Sequence, residues 1–257
     1  MTRLKMLKLE VKYPENADND MAALILQYLE EIFRERLVPD LYIEKSRALL
    51  IEDYLLSIPK NDENDLFVTT LKNTFERILN AISVHKIDTL NLAFNGSKDC
   101  SLLLYLYAAA LDATGHDMSL VQINAVFFDV YPDSPEVREH VLKMKDIYNF
   151  KLTIYQGCIK EALNTHLSNN PSHIAILMGS RETQHSGKFL MSSEEWTSNG
   201  WPLSLRLFPI FRWSDSHVDK AIIGLDISYL KYHDQRLEHL KEQADELSSC
   251  HSSSADI

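Results

Sequence analysis

The sequence is poor in the residues that mark secreted, metal-binding and membrane proteins. Its three cysteines, Cys100, Cys158 and Cys250, are too few and too scattered for a disulfide framework, and no Cys/His spacing is typical of a zinc site. No run approaches the roughly twenty apolar residues of a membrane-spanning helix, and the N-terminus lacks the apolar core of a signal peptide. We therefore expect reduced thiols, no membrane segment and a cytoplasmic location.

Positive charge is scarce as well. The chain has 26 lysines and arginines against 37 aspartates and glutamates, which gives a net charge of −11. Non-specific binding to nucleic acid depends on clustered positive charge, so we expect no nucleic-acid partner. Any phosphate group must instead be bound at a local site. The 257 residues, of which 45% are hydrophobic, suffice for one α/β domain or for one domain with an appendage.

The first part of the chain predicts a strand and two helices. Apolar and charged residues alternate over 7–13, as in a half-buried strand, and apolar residues at helical spacing follow over 21–33. A second helix comes after residues 61–63, with Asp62 as a candidate N-cap and an apolar face of Leu71, Phe75, Ile78, Leu79 and Ile82. Because one strand is not stable alone, it must pair with a neighbouring sheet or with another chain, which leaves a homo-oligomer open.

From residue 90 onward, apolar strands alternate with helices. We predict strands at 90–94, 121–128, 151–155 and 173–178, and helices at 99–111, 135–148 and 159–167. Two of the strands are almost continuously apolar, which is typical of strands buried on both faces of a parallel sheet. The predicted fold is therefore α/β, with a doubly wound, mostly parallel sheet. Ligands bind such sheets beyond the carboxyl ends of the strands, so the loops at Asn95, Asp129 and Gly179 should converge.

A tight polar loop, residues 95–99, joins the first of these strands to a helix. Backbone N–H groups at a helix N-terminus favour anions. Gly96 permits a positive φ and a close approach to phosphate oxygens, and Lys98 adds a positive charge. The loop lacks the GxxxxGK[ST] spacing of P-loop NTPases. The residues alone leave a second interpretation open, a plain strand-to-helix turn in which Asp99 caps the helix.

Three segments together resemble the eukaryotic FAD synthases, the FMN adenylyltransferases that share a fold with PAPS reductases. FNGSKDCSLLLYL at 94–106 resembles the FNGGKDC loop of that family. LMGSRETQHSG at 177–187 resembles its GTRRTDP segment, and GWPLSLRLFPIFRWSDSHV at 200–218 resembles GWPxxMRxxPLLDWxxxxIW. Order and spacing match over about residues 85 to 220. The resemblance implies a PAPS reductase-like fold.

The resemblance also implies a reaction, in which FMN and ATP give FAD and pyrophosphate with the help of Mg²⁺. It assigns ATP binding to Phe94, Asn95, Gly96, Ser97, Asp129 and Gly179, catalysis to Lys98, Asp99 and Arg181, and the FMN phosphate to Arg181 and Arg206. It does not identify metal ligands. Positioning and charge neutralisation would supply the catalysis, without a covalent protein nucleophile.

Several of these residues also have a purely structural interpretation. Asp99 suits a helix cap, Asp129 the start of a turn, and Arg206 a surface ion pair. Trp213 lies in the segment where the flavin site of the family falls, but we expect it to pack in the core.

The chain departs from the family pattern at several places. Ser97 replaces the second glycine of the loop, which costs strain if its φ is positive. Gln184 and His185 replace Asp-Pro, Arg212 replaces an aspartate, and the family's C-terminal YxxGYTSLG segment is not matched. A catalytically impaired relative that binds nucleotide or a partner chain is therefore an alternative to an FMN adenylyltransferase. Sulfonucleotide reduction needs a reactive cysteine in an ordered C-terminal segment, which Cys250 does not provide.

The resemblance divides the chain into three expected regions. Residues 1–85 form an N-terminal extension, either the remnant of a molybdopterin-binding-like domain or an unrelated helical extension. Residues 86–230 form the nucleotide-binding domain. Residues 231–257 form a polar helix and a disordered tail.

Overall fold

The computed structural model of the protein describes residues 46–117, 120–129, 135–184 and 190–231. The strand predicted at 7–13 and the helix predicted at 21–33 lie outside the described residues, as does all but the first residue of 231–257. The elements are α1 Arg47–Ser57, α2 Asp62–His85, β1 Leu90–Ala93, α3 Lys98–Ala113, β2 Ile123–Asp129, α4 Pro135–Ile147, β3 Phe150–Gln156, α5 Ile159–Asn169, β4 Ala175–Leu177, β5 Glu194–Trp196, β6 Leu205–Leu207 and α6 Asp215–Gly224.

The strands form one sheet in the order β3-β2-β1-β4-β6-β5. All neighbouring strands run parallel except β5, which is antiparallel to β6. The chain leaves β1 toward β2 and β3 on one side and later returns to β4 and β6 on the other. The predicted doubly wound, mostly parallel sheet is confirmed, and the loop after β1 lies at the point where the winding reverses.

Hydrophobic periodicity locates the long elements accurately. The seven strands and helices predicted between residues 90 and 178 all exist, and their ends differ from prediction by no more than two residues. The sequence analysis missed α1, β5, β6 and α6. The two strands have three residues each, too few for a period to show, and α6 buries only Val218, Ala221 and Ile222.

Helix α3 is the centre of the core. Twelve of its sixteen residues are buried, so it is apolar on all sides. Helices α1 and α2 pack against α3, and their residues Ile51, Phe67 and Leu71 belong to the same hydrophobic core. The hydrophobic core therefore includes residues on both sides of the boundary expected between residues 85 and 86.

The prediction that Asp62 caps α2 is wrong. The N-cap is Asn61, whose side-chain oxygen accepts a hydrogen bond from the Asn64 N–H at 2.8 Å. Asp62 is instead the first helical residue, where its negative charge interacts favourably with the positive end of the helix dipole. The predicted apolar face is confirmed, with Leu71, Ile78 and Ile82 buried and Phe75 and Leu79 partly buried at its edge.

The expectation that Trp213 packs in the core is confirmed, since its side chain is 1% exposed. Its indole N–H donates to the Thr74 hydroxyl at 2.8 Å, and its ring meets Phe67 edge to face at 6.0 Å. The segment after β6 is thereby fixed to α2. None of the helices that the structure describes has the length and apolar character to span a membrane.

One buried histidine gives the fold a pH dependence. His166 on α5 is 2% exposed, and burial together with the neighbouring His173 lowers its pKa to about 4. The folded protein therefore holds His166 neutral, whereas an unfolded histidine takes up a proton near pH 6.5. The unfolded state binds more protons between these two values, so acid favours unfolding there.

We predict that the free energy of unfolding falls by up to about 3 kcal/mol between about pH 6.5 and pH 4 because of His166. Replacing His166 with leucine should flatten this part of the curve, since the leucine cannot take up a proton. The measurement is urea unfolding as a function of pH. Replacing His116 with leucine is the matched control, since His116 is less buried. An equal slope in the His166→Leu variant would contradict the assignment.

Candidate nucleotide-binding site

The loop between β1 and α3 forms a tight turn. Asn95 Oδ1 accepts a hydrogen bond from the Ser97 N–H at 3.0 Å, and Gly96 has a φ of +79°. Ser97 has a φ of −63°, and its hydroxyl accepts from the Cys100 N–H at 3.4 Å as the N-cap of α3. Because the φ of Ser97 is negative, the strain that a positive φ would cause does not arise. The interpretation of Asp99 as the cap is wrong, since Ser97 is the N-cap.

Gly96 is required for space as well as for conformation. A Cβ atom at Gly96 would lie 2.6 Å from Cδ2 of His140, a residue of α4 that sequence analysis missed. Phe94 contributes only its backbone to the loop. Its ring is buried and meets Phe150 edge to face, while its N–H donates to the Val126 carbonyl at 3.0 Å.

A buried ion pair connects this loop with the loop after β4. The Arg181 Nε–H donates to Asp99 Oδ1 at 2.5 Å, and both side chains are largely buried. Arg181 also donates through Nη1 to the Thr183 hydroxyl and the Trp213 carbonyl, and through Nη2 to Asp215 Oδ1 at 2.7 Å. Four of its five N–H groups are therefore engaged. A two-point fork to a phosphate would have to displace one of these acceptors, so phosphate binding by Arg181 stays a prediction.

Gln184, one of the departures from the family pattern, belongs to the same network. Its Nε2 donates to Asp99 Oδ2 at 2.6 Å, and its Oε1 accepts from the Arg181 N–H at 3.2 Å. Burial raises the pKa of Asp99, while Arg181 and Gln184 act in the opposite direction. Both carboxyl oxygens of Asp99 accept from N–H donors, which is the arrangement of an ionised carboxylate.

The predicted convergence of loops is confirmed for the first and third of them. A Cβ atom at Gly179 would lie 2.9 Å from the Cys100 backbone nitrogen, so the chain after β4 runs directly over the N-terminus of α3. Asp129 ends β2, the neighbouring strand, and is buried. Its carboxylate lies 3.8 Å from Nη1 of Arg138.

Arg206 is not brought to the loop. It lies on β6, two strands away from β1, and its Nη2 donates to Glu195 on β5 at 3.1 Å. The guanidinium also lies 5.7 Å from the centre of the Phe208 ring. The structure therefore shows the ion pair of the structural interpretation, and a role in FMN binding stays a prediction.

Sequence analysis missed the residues that approach the loop from the far end of the chain. Lys98 Nζ lies 2.9 Å from Oδ1 of Asp219 on α6 and 5.7 Å from the centre of the Tyr229 ring. The Leu230 N–H donates to the Gly96 carbonyl at 2.9 Å. Lys98 and Asp219 are 121 positions apart, and no local pattern in the sequence links them.

The cations around the loop are matched by carboxylates. Lys98 pairs with Asp219, and Arg138 faces Asp129. Arg181 pairs with two carboxylates. Within the described ranges, no three His, Cys, Asp or Glu side chains are grouped so that they could hold a metal ion. Because the positive side chains are already paired with carboxylates, this arrangement suits a polyanionic ligand that arrives together with its own counter-cation.

Comparisons with known proteins show which proteins the chain resembles. Residues 156–240 match the family model of the phosphoadenosine phosphosulfate reductase domain. The chain is 31% identical over 170 residues to a probable FAD synthase of Caenorhabditis briggsae, and 30% identical over 177 residues to one of Caenorhabditis elegans. These alignments cover 66% and 68% of this chain but only 32% and 34% of the relatives. The chain thus spans about a third of their length.

A solved structure shows the same fold. The FMN adenylyltransferase of Candida glabrata, in complex with FAD and inorganic pyrophosphate, superposes with a TM-score of 0.63 at 22% identity. The match covers 69% of this chain and 64% of that chain. The predicted PAPS reductase-like fold is confirmed, and so is the resemblance to the FAD synthases that the three segments indicated.

We predict that Gly96→Ala destabilises the protein more than Gly115→Ala does. Both glycines have a φ of +79°, but a Cβ atom at Gly115 has nothing within 4 Å. The cost of placing alanine at a positive φ, about 1 kcal/mol, is therefore common to both variants. The difference between their free energies of unfolding measures the contact with His140. Thermal unfolding of both variants is the measurement. His140→Ala should reduce the penalty of Gly96→Ala, and equal penalties for the two glycines would contradict the close contact.

We also predict that Gln184→Glu lowers the free energy of unfolding by about 1 to 3 kcal/mol at neutral pH. The new carboxylate would face Asp99 at hydrogen-bond distance, and the two would share one proton as the pH falls. The penalty should therefore shrink on acidification. The measurement is urea unfolding at several pH values, with the exposed Gln156→Glu as the matched control. A penalty that does not change with pH would contradict the contact.

Proposed function

We propose that the protein is an FMN adenylyltransferase, which transfers AMP from ATP to FMN and gives FAD and pyrophosphate. The observation that carries this proposal is the loop after β1. There a glycine with positive φ, the N-terminus of α3 and Lys98 meet at the reversal point of a sheet whose fold matches an FMN adenylyltransferase. The sequence similarity to two probable FAD synthases supports it.

In the proposed reaction, a phosphate oxygen of FMN attacks the α-phosphorus of ATP. The bond between that phosphorus and the oxygen leading to the β-phosphorus breaks, and pyrophosphate leaves with the electron pair. The protein forms no covalent bond. The loop of Asn95, Gly96 and Ser97, with Lys98, would hold the phosphates through backbone N–H groups other than that of Ser97, which donates to Asn95. Asp129 would lie near the adenosine. Asp99 and Arg181 would hold the loop in its reactive shape, with Gly179 packed on it.

The described residues fit Mg²⁺ that arrives with the nucleotide. Mg²⁺ usually keeps several waters and takes only one or two carboxylates besides substrate phosphates, so a three-ligand protein site is not required. Asp215, at the start of α6 and with 82% of its side chain exposed, would be the residue to hold it. Bound there, Mg²⁺ would neutralise charge on the phosphates.

We propose ATP and FMN as the partners and the cytoplasm as the location. Pairing through the N-terminal strand stays a prediction. Sulfonucleotide reduction is not favoured, because burial raises the pKa of the Cys100 thiol.

We predict that the purified chain forms FAD from FMN, ATP and Mg²⁺, and that Lys98→Ala lowers the turnover on the order of 100-fold, because a charge on the phosphates is lost. The measurement is chromatography of the products. Lys145→Ala is the matched control, since Lys145 is an exposed lysine on α4 that pairs only locally with Asp146. ATP binding without turnover would overturn the proposed activity in favour of a nucleotide-binding relative.

A further inference from the structure

The positive side chain of the candidate loop, which a phosphate ligand would have to contact, already lies next to a carboxylate. Asp219 lies 2.9 Å from Lys98 Nζ, with 52% of its side chain exposed, and the Lys98 side chain is 25% exposed. Both groups are therefore within reach of a ligand that enters from solvent.

The position of Asp219 is fixed by the surrounding structure. Ser214 caps α6 through a hydrogen bond from the His217 N–H, and Asp215 at the start of the helix is held by Arg181. Asp219 follows one turn later on the same face of the helix. Beyond α6 the chain returns to the loop, where the Leu230 N–H donates to the Gly96 carbonyl. The helix is thus attached to the loop on both sides of Asp219.

We propose that Asp219 is a built-in competitor for the phosphate groups of the nucleotide at Lys98. The inference rests on the proposed function, since it takes the loop to be the phosphate site. A lysine held by a carboxylate gives a phosphate less charge, and the carboxylate repels the incoming polyanion. An ion pair as exposed as this one contributes little to folding, so a phosphate can displace it. The carboxylate therefore lowers nucleotide affinity without closing the site.

Removal of the Asp219 charge should then strengthen binding. We expect the dissociation constant of ATP to fall roughly two- to fivefold in Asp219→Asn, as a partly exposed charge interaction of this kind allows. The gain should shrink as salt rises, because screening weakens the repulsion. Asp219→Glu keeps the charge and should leave the affinity near that of the wild-type chain.

The test is calorimetric titration of the full chain with ATP at fixed Mg²⁺ and at two salt concentrations. Asp226→Asn is the matched control, because it removes an equal charge from an exposed residue just after α6. Thermal unfolding of each variant verifies that it is folded. Tighter binding by Asp219→Asn alone supports the proposal, whereas unchanged or weaker binding overturns it. Weaker binding with Mg²⁺ present would indicate that Asp219 helps to hold the cation instead.

Lys98→Met separates this proposal from the proposed function. If Lys98→Met weakens ATP binding while Asp219→Asn does not strengthen it, the phosphate loop stands and the competition at Lys98 is overturned. If Lys98→Met leaves ATP binding unchanged, the assignment of phosphates to the loop itself fails, and the competition fails with it.

Discussion

The buried ion pair between Asp99 and Arg181 holds the candidate site together. It joins the first turn of α3 to the chain after β4, and through Asp215 it also fixes the start of α6. Loss of one partner would leave an uncompensated charge among buried groups, which costs several kcal/mol. The pair therefore orders three segments that are far apart in the sequence. Its contribution is the geometry of the site, since buried ion pairs often add little net stability.

The structure accommodates three of the departures from the family pattern, one of them through this ion pair. Gln184 donates to the carboxylate of Asp99 where a second carboxylate would repel it, and Ser97 caps α3 without strain. Arg212 is exposed to solvent, so the positive charge that it introduces in place of the aspartate of the family pattern is not buried. The loop keeps its shape, and its positive side chain, Lys98, is held by Asp219. Because this positive charge is already paired, the polyphosphate ligand of the proposed function would depend on an accompanying cation. The dependence would be stronger than at a loop whose positive charge is not paired with a carboxylate.

Hydrophobic periodicity sufficed for the long elements of the fold because their burial is encoded locally. Helix α3 and the strands β2 and β4 carry near-continuous apolar runs, and glycine and polar residues mark the loops between them. The short strands β5 and β6 and the helix α6 were missed for a physical reason. They are stabilised by neighbours such as α2 and β4, and not by a pattern of their own.

The sequence by itself predicted the α/β class, a loop after the first strand whose Gly96 permits a positive φ, Lys98 in that loop, and the resemblance carried by three segments. The tertiary structure alone decided what those residues contact. It placed Arg181 on Asp99, left Arg206 on a distant strand, and brought Asp219 to Lys98 across 121 positions. Backbone conformation and burial follow from nearby residues, whereas the partner of a charged side chain depends on which loops the folded sheet brings together.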